Sequence, residues 1–213
     1  MRRLAATVLA LSLLTSGAQA AERLVDARQV FGFLSAYQSL TPAERNLFTM
    51  GYALRQGGKP VVADVTLVES DGKRTPLPVD AEGRFTRLPT AAQLAGKPQV
   101  GVDDSVGKIA VSMLVESTAK PAAEMPTAQF SPALAQVNAG VTSKLGMLAS
   151  LVPKVNRVTF IGVPSGKAVM ADGREVDLPM AKEGPTFDPV ALKGARAVRF
   201  LKAPTRIRFE ADK

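Results

Sequence analysis

The sequence of residues 71–83 is DGKRTPLPVDAEG, and that of residues 172–184 is DGREVDLPMAKEG. Six of these thirteen positions are identical at a constant offset of 101, whereas average composition gives about one identity by chance. After a shortening of three residues, the match continues at an offset of 98 and pairs Leu94, Gly96, Val100 and Ile109 with Leu192, Gly194, Val198 and Ile207. Because a match at fixed spacing is typical of a duplicated unit, we predict two related units in tandem.

Each predicted unit begins with a helix and continues with short strands. Residues 24–37 place apolar side chains at spacings of three and four, which predicts one apolar helical face. Ser131-Pro132 is typical of a helix start, and an apolar stripe follows from Leu134 to Val152. Asp71-Gly72 and Asp172-Gly173 predict hairpins, because both residue types tolerate the positive φ of tight turns.

The fold class follows from the strand connections. No helix long enough for a parallel crossover is predicted after the opening helix of either unit, so the strands should pair mainly antiparallel. We therefore predict an α+β fold of two tandem units, each with one helix and about five strands. Residues 117–130 show no hydrophobic period and are interrupted by Pro121 and Pro126, so we interpret this stretch as a linker. The predicted segments are a leader at 1–20, a first unit at 21–116, a linker at 117–130 and a second unit at 131–213.

The first twenty residues have the three parts of a secretory signal peptide. Arg2 and Arg3 precede an apolar run from Leu4 to Leu14, and Ala18-Gln19-Ala20 has the small-x-small pattern that signal peptidases accept. The apolar run is shorter than the roughly 20 residues that span a bilayer as a helix. We therefore expect cleavage before Ala21, a periplasmic or secreted protein, and no transmembrane segment in the mature chain.

The chain contains no histidine and no cysteine. This excludes Ser-His-Asp and Cys-His triads, thiol redox chemistry, and the usual zinc and copper ligand sets. Oxygen ligands remain for a metal ion, but Asp71, Asp172 and Asp103-Asp104 lack the alternating ligand positions of a calcium loop. We therefore expect no catalytic residues, no cofactor and no metal site.

The positive charge lies in the second half of the chain. Residues 21–116 carry eleven Lys and Arg against eleven Asp and Glu, whereas residues 117–213 carry fourteen against eight, a net +6. We predict an anion-binding face formed by Arg196, Arg199, Lys202, Arg206 and Arg208. The alternative interpretation is that these charges keep a late strand soluble and prevent pairing between sheet edges.

Two resemblances bear on the class of protein. Residues 65–88, with their Asp-Gly and Glu-Gly turns, resemble the β modules of the carboxypeptidase-regulatory type. The phrase Asp-Gly-Arg-x-x-x-Leu-Pro at residues 172–179 is similar to uncharacterised exported proteins of proteobacteria. The second resemblance implies a periplasmic location and no particular activity.

We expect a non-enzymatic periplasmic binding or interaction protein whose partner is an anionic envelope glycan, a lipid headgroup or an envelope protein. Nucleic acid is not expected, because the chain has no Trp, and Tyr37 and Tyr52 both lie on apolar faces. One alternative is a periplasmic hydrolase that uses Ser and Lys, or carboxylates, at the junction of the units. Another is a structural envelope-assembly protein that uses the stripe from Leu134 to Val152.

The leader gives a testable prediction. Expressed in a Gram-negative bacterium, the chain should be recovered from the periplasm with Ala21 as its first residue, because signal peptidase removes residues 1–20. Intact-mass spectrometry of the periplasmic fraction measures this. Recovery in the cytoplasm with residues 1–20 retained would contradict the prediction.

Overall fold

The computed structural model describes residues 22–103, 107–145 and 154–211. Within these ranges the chain forms four α-helices and fourteen antiparallel strands in three sheets, which confirms the predicted α+β class. The helices are α1 Ala27–Val30, α2 Leu34–Gln38, α3 Ala91–Ala95 and α4 Phe130–Leu145, with short 3-10 helices at Pro42–Glu44 and Thr127–Gln129. None of the helices described is long and apolar enough to cross a membrane. The predicted leader lies outside the described residues.

The first outer sheet comes from the N-terminal half of the chain. Its strands are β1 Glu22–Asp26, β4 Val65–Val68, β5 Arg74–Pro76 and β6 Gln99–Asp103, in the order β1-β6-β4-β5. The β4–β5 hairpin turns at Asp71-Gly72, as predicted. Gly72 has a φ of +83°, and the Lys73 N–H donates to Asp71 Oδ1 over 2.9 Å.

The second outer sheet comes from the C-terminal half. Its strands are β8 Glu124–Pro126, β10 Lys167–Met170, β11 Glu175–Asp177 and β13 Ala195–Arg199, in the order β8-β13-β10-β11. The β10–β11 hairpin turns at Asp172-Gly173, where Gly173 has a φ of +87°. The Arg174 N–H donates to Asp172 Oδ1 over 3.0 Å. In both outer sheets the strand that is first along the chain therefore lies at an edge, next to the strand that is last.

The central sheet combines three strands from each half of the chain. They are β2 Phe48–Gln56, β3 Lys59–Pro60, β7 Ala110–Ser117, β9 Val155–Ile161, β12 Thr186–Phe187 and β14 Arg206–Ala211, in the order β12-β9-β14-β7-β2-β3. β2 pairs with β7 over eight residues, whereas the registered pairing of β7 with β14 consists of Glu116 opposite Arg208. β14 is an interior strand, so its arginines do not protect an exposed sheet edge.

Two clusters of buried apolar side chains join the central sheet to the outer sheets and helices. The first includes Tyr52 of β2 and Leu67 of β4, and the second includes Phe130 of α4 and Phe160 of β9. Full burial of one such side chain contributes about 1.5–3 kcal/mol. Phe48, at the start of β2, belongs to the second cluster. The two halves therefore share a core across the central sheet.

The predicted helix over residues 24–37 is wrong in its first part. Val25 belongs to β1 and lies opposite Val100 of β6, so its backbone is held in a ladder of strand hydrogen bonds. Helix α1 begins only at Ala27, and Phe33, with a φ of +66°, separates α1 from α2. Each half of the chain therefore begins with an edge strand, and the helix follows.

The predicted linker at residues 117–130 contains regular structure. It includes β8, which pairs with β13, and the second 3-10 helix, which leads directly into α4 at Phe130. Leu134 and Val137 of the predicted apolar stripe are buried against the core. Leu148 and Val152 of that stripe lie outside the described residues.

Gly83 and Gly72 allow a matched test of the fold. Both have positive φ, +75° and +83°, but a methyl group built on Gly83 would lie 2.7 Å from the Leu54 carbonyl oxygen, whereas nothing lies within 4 Å at Gly72. We expect Gly72→Ala to cost about 1 kcal/mol for the left-handed backbone. Gly83→Ala should cost at least about 1 kcal/mol more because of the clash. Urea unfolding measures both, and equal losses would contradict the packing of the Gly83 turn on β2.

Candidate functional site

The five residues predicted to bind anions lie in two different sheets. Arg196 and Arg199 lie on β13 in the second outer sheet, and Lys202 lies in the exposed segment after it. Arg206 and Arg208 lie on β14, inside the central sheet. The structure therefore brings Arg206 and Arg208 together and places the other three apart from them.

Arg199 is held in a row of charges across the second outer sheet. Its guanidinium pairs with Glu124 at 3.0 Å and with Glu175 at 2.6 Å, and these contacts raise the pKa of Arg199, with Glu124 the larger cause. Lys167 also pairs with Glu175 at 3.0 Å, and its hydrogen bond lowers the pKa of that carboxyl. Two carboxylates of its own chain therefore oppose the charge of Arg199.

Arg206 and Arg208 belong to a group of charges where β7 meets β14, which we call the seam cluster. Its members are Glu82, Arg84, Glu116, Glu183, Arg206 and Arg208. Glu116 lies near its centre and accepts two hydrogen bonds from Arg84, at 2.8 and 2.5 Å. Arg84 thereby reaches across β2 to a carboxylate on β7.

The arginines of β14 complete the seam cluster. Arg206 pairs with Glu82, and Arg208 pairs with Glu183. The carboxylate of Glu116 also lies 3.7 Å from Arg206 Nε and 4.0 Å from an Arg208 nitrogen. Since Glu116 and Arg208 are also directly opposite in the sheet, the ion pairs reinforce the one registered backbone pair.

The centre of the seam cluster is largely shielded from water, and the cluster as a whole is electrically neutral. Only 9% of the Arg208 side chain, 13% of Glu116 and 19% of Arg84 is exposed. Three arginines face three glutamates, and the hydrogen bonds that Arg84 donates to Glu116 are the main cause that raises the pKa of Arg84. Shielded charges of this kind need partners, because burial without one is costly. The pairs therefore neutralise the arginines that the sequence analysis assigned to anion binding.

The repeated Glu-Gly turns supply two of the carboxylates. Gly83 packs its backbone against the Leu54 carbonyl, and Gly184 packs against the Phe160 carbonyl, at distances that leave no room for a side chain. These contacts hold Glu82 and Glu183 beside β14. From the sequence, both Glu-Gly dipeptides were interpreted only as turns, so Glu82 and Glu183 were not among the predicted site residues. The sequence carried one signal for them: the two Glu-Gly dipeptides recur at an offset of 101. Their partners, Arg206 and Arg208, lie two residues apart on one strand.

Pairing between β7 and β14 stops beyond the seam cluster and leaves an opening of about 800 Å³, which we call the wedge. Residues 112–115 of β7 and 209–211 of β14 form two of its sides. Four cations and two carboxylates line it, a net charge of +2: Arg55, Arg157, Lys182, Arg208, Glu183 and Glu210. The wedge therefore combines strand-borne apolar groups with an excess of positive charge.

Lys182 is the most accessible cation of the wedge. It is exposed and, among the residues that the structure describes, makes no ion pair. Arg157 donates to the Ala211 carbonyl oxygen at 3.1 Å, which orients its guanidinium along the wedge wall. Arg55 donates to backbone carbonyl groups, including that of Glu82 at 3.0 Å. Backbone contacts thus orient the guanidinium groups of Arg55 and Arg157 along the wedge.

A smaller apolar pocket of about 80 Å³ lies between α2, α4 and the central sheet. Its inner walls include the buried side chains of Leu40, Phe48 and Val137. Its rim carries Phe33 and Met113, which are 42% and 41% exposed. Large apolar side chains with this exposure at a cavity mouth favour contact with an apolar ligand.

The apolar pocket and the wedge adjoin. Met113, Val115 and Val155 line both of them. Asn138 also lines the apolar pocket, but its amide is engaged with the backbone of Val155 at 2.9 and 3.0 Å. The two openings therefore share three apolar residues, with charged side chains on the wedge side.

The chemistry available around the wedge is limited. In the described part of the chain, no group of three or more acidic side chains is placed to hold a metal ion. Ser112 and Lys182 both line the wedge, which is where a Ser-Lys hydrolase would need them. Within residues 22–103, 107–145 and 154–211, however, no hydrogen bond joins Ser112 to a lysine. In that part of the chain, no lysine is therefore positioned by a hydrogen bond to act as the base for this serine.

Comparison with known proteins gave no match: neither the models of protein families nor the curated proteins match this sequence. The two resemblances stated from the sequence therefore stay predictions.

The role of Glu116 can be measured. Glu116→Gln keeps the shape and one acceptor but leaves three arginines facing two carboxylates, so we expect a loss of about 2–3 kcal/mol in the free energy of unfolding. The matched control is Glu124→Gln, which removes an exposed pair with Arg199 and should cost less than about 1 kcal/mol. Urea unfolding at neutral pH measures both. A loss at Glu116 no larger than that at Glu124 would show that the seam cluster does not join β7 to β14.

Proposed function

We propose that the chain is an exported, non-enzymatic binding protein that holds an anionic ligand in the wedge. The observation that carries the proposal is the net charge of +2 on the wedge wall, together with the accessible ammonium of Lys182. A concave site with one sign of excess charge attracts ligands of the opposite sign. Export is inferred from the leader at residues 1–20.

The distribution of charge favours the wedge over the outer surface. Arg199, Arg206 and Arg208 each face a glutamate within ion-pair distance, so an anion at those positions has to compete with a carboxylate of the protein. Lys182 presents its ammonium group to an opening large enough for a small molecule. Of the five residues predicted from the sequence, Arg208 lines the wedge but is paired with Glu183, and Arg196 and Lys202 are exposed elsewhere.

We also propose that the two halves are related units. Matched backbone hydrogen bonds support this: Leu77 N–H donates to Val65 at 2.8 Å, and Leu178 N–H donates to Gly166 at 2.9 Å, an offset of 101 at both ends. The common strand order of the two outer sheets is further support. On this proposal the wedge lies between equivalent strands of two units.

The core that the two halves share can be tested by separate expression of residues 21–116. This segment should not fold alone, because Phe48 then loses its core.

The two alternatives have less support. A hydrolase at the junction of the units has Ser112 and two carboxylates, Glu183 and Glu210, in the wedge, but lacks a base in contact with the serine. An assembly protein needs an exposed apolar face on α4, whereas Leu134 and Val137 of that helix are buried. A binding protein is therefore the function that the site supports best.

The proposal predicts that Lys182 matters for anion binding. Inorganic tripolyphosphate should bind the mature protein, more weakly as salt rises. Lys182→Glu should weaken binding by about 2- to 30-fold, because the reversal removes one favourable contact, adds an unfavourable one, and each contributes about 0.2–1 kcal/mol. Isothermal titration calorimetry measures the affinities.

Lys202→Glu is the matched control, since Lys202 is also exposed and undergoes the same change of charge. It should leave the affinity nearly unchanged. Equal effects of the two variants would show that tripolyphosphate senses net charge alone. A larger effect at Lys202 would place the site at the exposed segment after β13 and overturn the wedge.

A further inference from the structure

We propose that β1 is an interaction edge, to which a partner adds an extended segment with a basic residue followed two positions later by an apolar one. The segment pairs antiparallel with residues 22–26 and adds one strand to the first outer sheet. No residue of β1 lines the wedge. The proposal therefore goes beyond the proposed function and does not depend on it.

The three sheets differ in how well their six edge strands are protected from further pairing. The edges β3, β5 and β8 contain Pro60, Pro76 and Pro126, and the two-residue edge β12 directly follows Pro185. The edge β11 is three residues long and has an acidic residue at each end. Proline removes a backbone donor, and short or charged edges resist pairing. With five residues and no proline, β1 is the longest edge strand in the described part of the chain.

The backbone of β1 presents hydrogen-bonding groups to the open side at alternate residues. The Ala27 N–H, one residue beyond β1, donates to the Pro98 carbonyl oxygen at 3.1 Å and continues the register with β6. Because hydrogen-bonded positions alternate along an antiparallel pair, Val25 also bonds to β6, whereas the N–H and C=O groups of Leu24 point away from it. An added strand can therefore exchange two backbone hydrogen bonds with Leu24.

Leu24 also supplies an apolar contact at this edge. Its side chain is 45% exposed, and among the large exposed apolar side chains in the described ranges it is the one on an edge strand. Its neighbour across β6 is Gly101, which has no side chain to cover it. An apolar residue opposite Leu24 on an added strand removes both side chains from water, which favours pairing.

The charges of β1 determine which segment fits. Glu22 pairs with Arg74 of β5 at 2.5 Å, and Arg23 donates to the Gly107 carbonyl oxygen at 3.2 Å, so both are engaged within the protein. Asp26 is exposed and caps α1 by accepting a backbone N–H at 2.7 Å, but it makes no ion pair with any residue that the structure describes. A cation opposite Asp26 on the added strand is therefore favoured.

A second copy of β1 is a poorer occupant of the edge. The antiparallel register that pairs all five residues sets Leu24 against its counterpart and Glu22 against Asp26 of the other copy, twice. Like charges directly opposite each other destabilise a strand pair. A segment with a basic residue at that position gains attraction where a second copy meets repulsion.

The test uses a heptapeptide with blocked ends, in which threonines alternate with lysine, leucine and lysine. It is titrated into the isotopically labelled mature protein, and the amide resonances are followed by NMR. We expect the shifts to concentrate at residues 22–26 and to spare β8, the corresponding edge of the second half. Exchange of both lysines for glutamate should weaken binding about 2- to 30-fold, because attraction at Asp26 becomes repulsion.

Two N-methylated peptides test the backbone pairing. A methyl group on the nitrogen of the central leucine removes the N–H that bonds to Leu24 and should weaken binding at least about fivefold. The matched control carries the methyl group on the next threonine, whose N–H points away from β1. Its affinity should change less than about twofold, because no hydrogen bond to the protein is lost.

A variant of the protein tests the charge. Asp26→Asn keeps an acceptor that can cap α1 and removes the negative charge, so it should weaken the lysine peptide about 1.5- to 5-fold and not weaken the glutamate peptide. Asp71→Asn is the matched control, because Asp71 is exposed and also accepts a backbone N–H, but lies in the β4–β5 hairpin. It should leave both affinities unchanged.

The contrary outcomes are distinct. Shifts at β8 or β11 in place of β1, or equal binding of the two N-methylated peptides, overturn pairing at this edge. Equal binding of the lysine and glutamate peptides overturns the basic partner. A dimer of the mature protein that the peptide cannot enter assigns β1 to a second copy and also overturns the proposal. The anion site in the wedge is tested separately through Lys182, so its failure and that of the β1 edge are distinguishable.

Discussion

The contact between Glu116 and the arginines around it holds the two halves of the molecule in one sheet. The register between β7 and β14 consists of Glu116 opposite Arg208, so backbone hydrogen bonds contribute little to holding these two strands together. The side chains compensate: Glu116 binds Arg84 across β2 and lies beside two arginines of β14. Because these charges are mostly shielded from water, each depends on the others for neutralisation. The strand order of the central sheet rests on this cluster.

The same geometry creates the cavities. Since pairing between β7 and β14 does not continue beyond the seam cluster, the strands leave the wedge between them, and Met113 and Val115 of β7 face both openings. A fully paired sheet would bury these groups and leave no site. The neutral cluster and the wedge therefore lie side by side and share Arg208 and Glu183.

Local features were the easiest to predict. The Asp71-Gly72 and Asp172-Gly173 hairpins form as expected, because the requirement for positive φ is a property of two adjacent residues. The first helix was mispredicted, since the apolar period of residues 24–37 cannot distinguish a helix from an edge strand that pairs with a distant partner. The predicted anion-binding face did not include the glutamates that pair with its arginines. Glu82 lies 124 residues from Arg206, and their contact depends on the folding of both halves.

The amino-acid sequence by itself determined the turns, the α+β class and the uneven charge, all of which follow from short-range backbone preferences, periodicity and composition. It also determined that chemistry based on histidine or cysteine is excluded, because the residues are absent. Only the tertiary structure decided which charges are neutralised and which face an opening. That decision depends on pairing between strands from opposite ends of the chain, where Glu116 meets Arg208, and no local pattern encodes it.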